Sequence, residues 1–134
     1  MQKKSIQDTA KNTLLLEANS ILELQAFIDD QFEEIVTLIH NIKGRLVISG
    51  IGKSAIIAQK IVATLNSTGT PSIFMHAADA IHGDLGMIQK NDIILIISKS
   101  GESPEIKVLV TLIKNLGNTL IAMAGNTSSV LAIE

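Results

Sequence analysis

The run Asp92-Ile93-Ile94-Leu95-Ile96-Ile97-Ser98 constrains this chain more than any other segment. It is short, rich in β-branched residues and apolar at consecutive positions. As a strand it has no face to offer to water. Such strands belong to parallel sheets covered by helices on both sides, whereas sheets with one wet face show alternation. Three further segments are short and apolar: Arg45 to Ser49, ending at Gly50; Pro71 to Met75; and Thr119 to Ala124. Helical spacing lies between them. Ile57, Ala58, Ile61, Val62 and Leu65 mark one helix over 54–65. Ser103 as N-cap and Pro104 at the first helical position open another, which runs to about Leu116 and is capped by Gly117. Strands alternating with helices predict an α/β fold, a doubly wound α-β-α sandwich with a parallel sheet in flavodoxin-like order.

A long helical segment precedes the first strand. Ile6, Ala10, Leu14, Ala18, Ile21, Leu24 and Ile28 recur at helical spacing, followed by Phe32, Ile35, Val36 and Ile39, with a break expected at Asp29-Asp30. Its apolar stripe suits either a partner subunit or the sheet. The 134 residues correspond to one domain, with no internal linker or repeat. At the far end, Thr127 reads as the cap of a helix whose first two turns are Ser128 to Glu134. A domain over 1–134 that stops there is expected to be incomplete at its C-terminal end.

Composition narrows the function classes. Eleven basic residues face 13 acidic ones, only Arg45 is an arginine, and there are three Phe with no Tyr or Trp. Nucleic-acid binding wants a basic excess and stacking aromatics, so it is disfavoured. The absence of cysteine excludes disulfides, a thiol nucleophile and thiolate metal sites, and fits a reducing cytoplasm. No apolar run approaches the ~20 residues that a membrane helix needs, and Met1-Gln2-Lys3-Lys4 leads into polar residues rather than a signal-peptide core.

In open α/β sheets, ligands bind beyond the carboxyl ends of the strands where the strand order reverses. In this pattern that point lies between the first and third strands. Their following loops, Gly50-Ile51-Gly52-Lys53-Ser54 and Ser98-Lys99-Ser100-Gly101-Glu102-Ser103, are Gly- and Ser-rich and lead straight into helix N-termini. Free N–H groups and the helix dipole there favour an anion, so a phosphorylated ligand is expected. Ordinary strand-to-helix turns with serine caps are the competing reading. A Walker A loop fails because Val47 stands where glycine is required, and a dinucleotide fingerprint finds His76 where an acid belongs. Lys53 is a candidate cation for a phosphate or a developing oxyanion. Glu105, with Glu102 as competitor, is a candidate general base. His76, His82 and Asp84 match no strict metal spacing. No G-x-S-x-G elbow is present.

Four ordered stretches together resemble the sugar isomerase (SIS) domain, and within it the D-arabinose 5-phosphate isomerases. They are Gly50 to Ser54, Asn66 to Ser72, His82-Gly83-Asp84-Leu85-Gly86-Met87, and Ile97 to Ser103. The resemblance implies a five-stranded parallel sheet, a homotetramer, and interconversion of D-ribulose 5-phosphate and D-arabinose 5-phosphate through an enediol, a step toward Kdo and lipopolysaccharide. It implies Lys53 and Glu105 as catalytic residues, and substrate contacts at Gly69, Thr70 and His82. Ser98, Ser100, Gly101 and Ser103 would form the phosphate loop. It implies no required cofactor, with His76 as a contact for an inhibitory zinc. Lys99 departs from the asparagine of many relatives, and a cation there suits a phosphate. The family's remaining catalytic residues, the fifth strand and the paired CBS domains of its long forms would lie beyond residue 134. A sugar-phosphate-binding module without turnover and an inactive fragment are the alternative readings.

Overall fold

The computed structural model describes residues 5–134, which form two units divided between Thr37 and Leu38. In the first, helix α1 (Ile6–Glu23) is capped by the Ser5 hydroxyl, which accepts from the Asp8 N–H at 3.0 Å. A 3₁₀ turn, Leu24–Phe27, follows, and α2 (Asp30–His40) begins with the Asp29 carboxylate accepting from the Phe32 N–H. The interruption runs from the tight turn to Asp29, so it begins before the expected break at Asp29-Asp30 and ends there, with Asp29 capping the helix that follows. No residue of α1 is buried; Leu14, Ile21 and Phe27 are each more than 60% exposed.

The second unit carries the sheet. Strands β1 (Leu46–Gly50), β2 (Ser72–His76), β3 (Ile93–Ser98) and β4 (Thr119–Ala124) are all parallel, in the order β2-β1-β3-β4. Every residue of β1 and β3 is buried, as the two-faced apolar pattern requires. Helix α3 (Lys53–Ser67) connects β1 to β2, and α5 (Pro104–Leu116) connects β3 to β4. One face of the sheet is a row of Ile73, Val47, Ile94 and Leu120 in register, packed with Ile106, Leu109, Val110 and Ile113 of α5. This doubly wound arrangement agrees with the α-β-α reading, with helices on both sides of a four-stranded sheet.

Two short elements carried no sequence signal: α4 (Ala77–Ala80) and a 3₁₀ turn, Asp84–Met87. At four residues each they are too short to show a period, yet Ala77 and Ala80 are fully packed into the core. At the far end Thr127 is not the cap. Ser129 is, and α6 (Val130–Ile133) is a single turn. The Asn126 side-chain amide oxygen accepts from the Ser128 N–H, closing a turn that delays the helix.

The amino ends of the strands are fastened by one ion pair. Asp92 is 2% exposed, and its carboxylate accepts from the Arg45 backbone N–H (2.8 Å), the Arg45 guanidinium (2.7 Å) and the Gln89 N–H (2.9 Å). Arg45 also donates to the Met87 carbonyl, and the Asn118 amide donates to the carbonyls of Gln89 and Asp92. Burial alone would raise the Asp92 pKa, but the Arg45 hydrogen bond, the two backbone N–H groups and the Arg45 charge outweigh it and hold it below the ordinary value. A carboxyl lowered on folding stabilises the fold fully above its unfolded pKa of about 3.9 and loses that contribution as pH falls through the lowered value. Asp92→Asn places an amide N–H₂ against donors. It should cost about 2–4 kcal/mol at neutral pH and flatten the loss of stability below about pH 4, both read by denaturant unfolding across pH.

Candidate functional site

The β1 and β3 loops open side by side because β1 and β3 are neighbours while their crossovers run to opposite sides. Between them lies a cleft of about 430 Å³, lined by Ile51, Ser54, Ser98, Lys99, Ser100 and Ser103. Four serines and one lysine make this a hydroxyl-rich, cationic surface at the topological switch point.

The β1 loop turns through Gly52, whose φ of +58° favours glycine, and α3 begins at Lys53 with no side-chain cap on its first N–H groups. The β3 loop is more elaborate. The Ser98 hydroxyl, buried, accepts from the Gly101 N–H at 3.0 Å, and the Ser100 hydroxyl accepts from the Glu102 N–H at 3.3 Å. Gly101 has φ +66°, and a Cβ there would lie 2.2 Å from the Ser129 hydroxyl. The Gly101 carbonyl accepts from the Leu131 N–H. Ser103 occupies the N-cap position of α5, but its hydroxyl makes no capping bond; the oxygen is buried and unpartnered. The sequence reading of Ser103 as a cap therefore holds for its backbone position only. Its hydroxyl is left free beside the cleft.

The two candidate carboxylates separate clearly. Glu102 pairs with Lys107 at 2.6 Å and accepts from the Val130 N–H at 2.7 Å. The Lys107 hydrogen bond, then the Val130 N–H, hold its carboxyl below the ordinary range. It is a strut between the loop and α6. Glu105, half-buried in the first turn of α5, has no such partners among the described hydrogen bonds and ion pairs. Among the described residues, lysine–carboxylate pairs are Lys107–Glu102 and Lys114–Glu134; neither Lys53 nor Lys99 is in one.

The structure gathers Lys53, Ser98, Ser100, Gly101, Ser103 and Glu105 at the carboxyl end of the sheet. His76 ends β2 in register with Gly50 at that same end. His82 follows α4 and is exposed. Gly69 and Thr70 precede β2 and so stand at the opposite end, about 16 Å of strand away from His76. Their segment closes the α3–β2 connection: the Asn66 amide exchanges two hydrogen bonds with the Ser72 backbone, and the Thr70 N–H donates to the Leu65 carbonyl. For zinc, the His76 Nδ1 lies 3.8 Å from the Asp79 carboxylate, and no group of three or more ligating side chains exists among the described residues. Two donors do not meet the tetrahedral requirement of zinc, so these residues alone do not fit a zinc site. Sequence reasoning missed Ser49, which is fully buried with an unpartnered hydroxyl between Met75 and Ile96 on the α5 face. A lone serine inside a strand gives no signal.

Comparison with known proteins places this geometry in a family. Residues 38–134 match the SIS domain model. The chain belongs to the SIS-domain family. It is 50% identical over 124 residues to the arabinose 5-phosphate isomerase KdsD of Pseudomonas aeruginosa, covering 92% of this chain and 38% of that protein. It is 39% identical over 130 residues to the arabinose 5-phosphate isomerase GutQ of Escherichia coli K12, covering 97% of this chain and 40% of that protein. The SIS-domain chain thus spans well under half the length of these curated relatives. An Escherichia coli CFT073 protein in complex with arabinose 5-phosphate superposes with a TM-score of 0.82 at 38% identity, covering 97% of this chain and 71% of that one. The Vibrio vulnificus NanR protein complexed with ManNAc-6P shares the fold at 18% identity, TM-score 0.81, over 94% of this chain and 48% of that one. No described helix is long and apolar enough to cross a membrane.

The packing of Gly101 against Ser129 sets a test. Gly101→Ala combines a left-handed φ with a clash against a buried side chain and should destabilise by about 2–4 kcal/mol. Thermal unfolding checks it; an unchanged midpoint would show that the contact does not hold the loop.

Proposed function

We propose that the protein is an aldose–ketose isomerase that interconverts D-arabinose 5-phosphate and D-ribulose 5-phosphate in the cytoplasm, on the way to Kdo and lipopolysaccharide. The observation that carries the reading is the cleft itself: hydroxyls, an unpartnered Ser103 oxygen, uncapped helix N–H groups and Lys99, which is outside the described ion pairs, come together where a phosphate would sit. Arabinose 5-phosphate isomerases at 39–50% identity support the substrate class.

In the proposed reaction a base removes the C2 proton of the aldose. The C–H electrons form the C1–C2 double bond, and the aldehyde oxygen gains charge. Protonation at that oxygen gives the enediol; loss of the O2 proton and protonation at C1 give the ketose. Glu105 is the base in this scheme, because Glu102 is committed to Lys107 and Val130. Lys53 stabilises the enediolate oxygen. Ser98, Ser100, Gly101 and Ser103 hold the phosphate, and His82 contacts the sugar. The scheme requires no cofactor.

We further propose a homo-oligomer, a tetramer. The exposed leucines and isoleucines of α1 support it, since so broad an apolar surface calls for a partner. An assembly also gives Gly69 and Thr70 a role, as residues that one copy presents to the substrate of another. Sedimentation should give a mass well above 14.3 kDa; a monomer at micromolar concentration would end this part of the proposal.

Proton NMR with D-arabinose 5-phosphate in D2O tests the chemistry. Deuterium should enter at C2 and ribulose 5-phosphate should appear. Lys53→Ala and Glu105→Gln should each slow this by about 10²–10⁴-fold. Ligand binding with no exchange would replace the isomerase with a sugar-phosphate-binding module.

A further inference from the structure

The cleft contains one charged lining residue, and it takes no part in the proposed proton transfers. Lys99 lines the cavity beside Ser98, Ser100 and Ser103. Its backbone is fixed rather than loose. The Lys99 carbonyl accepts from the Gly125 N–H at 3.1 Å, which ties the β3 loop to the end of β4. A Cβ at Gly125 would come within 2.8 Å of that carbonyl and 3.4 Å of the Lys99 Cγ, so the lysine stem runs alongside the bare Gly125 backbone. Among the described residues its ammonium has no ion-pair partner, although Glu102 stands three positions away. That carboxylate is turned to Lys107 and the Val130 N–H instead.

We propose that Lys99 is a specificity-determining residue that selects dianionic phosphate monoesters at this cleft. This rests on the sugar-phosphate reading of the site. The hydroxyls of Ser100 and Ser103 and the N–H groups of the loop can bind any oxyanion of suitable size. Their partial charges distinguish one negative charge from two less sharply than a full cation does. A lysine ammonium is such a cation: its attraction grows with ligand charge, and it acts as a point charge free of demanding geometry. The second ionisation of a phosphate monoester lies near about pH 6, so affinity should rise as pH passes through that range. The Glu102–Lys107 pair belongs to the same device. It engages the carboxylate nearest to Lys99 in the sequence, leaving the cation for the ligand.

The test is calorimetric titration of the full chain with inorganic phosphate and with D-arabinose 5-phosphate, from low to high salt and from pH 5 to pH 8. Lys99→Gln should weaken binding of both about three- to tenfold at low salt. It should also flatten the salt dependence and reduce the gain in affinity between pH 5 and pH 8. Lys99→Arg, which keeps the charge, should restore all three. Lys99→Glu should weaken binding further than Lys99→Gln. Because Lys99 is exposed, these variants leave the core untouched. Equal affinity and equal salt and pH slopes for the wild type and Lys99→Gln would overturn the assignment while leaving the sugar-phosphate reading in place. No binding of either ligand to the wild type would remove that reading and this inference with it.

Discussion

Burial of β1 and β3 on both faces is the constraint on which the rest of the second unit depends. Neither strand can face water, so helices must cover each side, and the chain must cross the sheet between consecutive strands. The crossover from β1 goes to β2 on one flank, and β3 then returns to the other side of β1. That reversal parts the two loops and leaves the cleft between them. The site is therefore a consequence of how the apolar strands are satisfied. None of the cleft's lining residues comes from the sheet's amino end. There Arg45 and Asp92 fasten β1 to β3, and Asn118 ties in the approach to β4. One end of the sheet is closed with hydrogen-bonded charge, and the other presents polar groups that are still unsatisfied.

The β3 loop shows how such groups are kept in place without being used up. Its backbone is held by two N–H groups, Leu131 donating to the Gly101 carbonyl and Gly125 to the Lys99 carbonyl, and its Glu102 carboxylate accepts from the Val130 N–H. Ser129, fully buried, fills the space that a side chain at 101 would need. These contacts come from the segment after β4, none of whose residues lines the cleft. The loop can thus be rigid while the Ser103 hydroxyl remains unpartnered. Rigid donors aimed at an anion lose little entropy when it arrives, which is the condition for electrostatic stabilisation to count. A flexible serine-rich loop of the same composition would lose part of its binding energy to ordering.

Much of this was legible in the residues. Ile93 to Ser98 read as a doubly buried strand because no alternation was present, and Ser103-Pro104 with Gly117 marked both ends of α5. The switch point followed from strand order, and with it the two loops. What stayed hidden depended on long-range partners. Glu102 reads as a candidate base until Val130, 28 residues on, is brought to it. Ser103 reads as a cap because its local pattern is ideal, and only the folded loop shows the hydroxyl without its bond. Thr127 reads as a cap for the same reason; Asn126 closes the turn first. Gly69 and Thr70 are a different case. Their place before the second strand was legible from topology alone, and it sets them at the far end of the sheet from the loops with which the family resemblance groups them.

The distribution of charge connects these points. The chain is weakly acidic, at −2, yet its cleft is cationic. The difference is made by pairing rather than by number. Asp92 and Glu102 are each taken up by a basic partner and by backbone N–H groups, and both are held ionised below the ordinary carboxyl range. Lys53 and Lys99 have no such partner among the described ion pairs. A carboxylate satisfied elsewhere does less to neutralise the cleft, and Lys99, which lines it outside the described ion pairs, brings its charge there, with Glu105 a carboxylate likewise outside those pairs at the same end of the sheet. A locally cationic cleft is thus compatible with a net negative charge, because the near field at a switch point is set by the groups closest to it rather than by the total. The buried, unpartnered hydroxyls of Ser49 and Ser103 carry a desolvation cost with no bond to offset it. Ser103 borders the cleft, and in the proposed function a phosphate oxygen would supply the missing partner, so that part of the stability forgone in the free protein would return as affinity for the ligand.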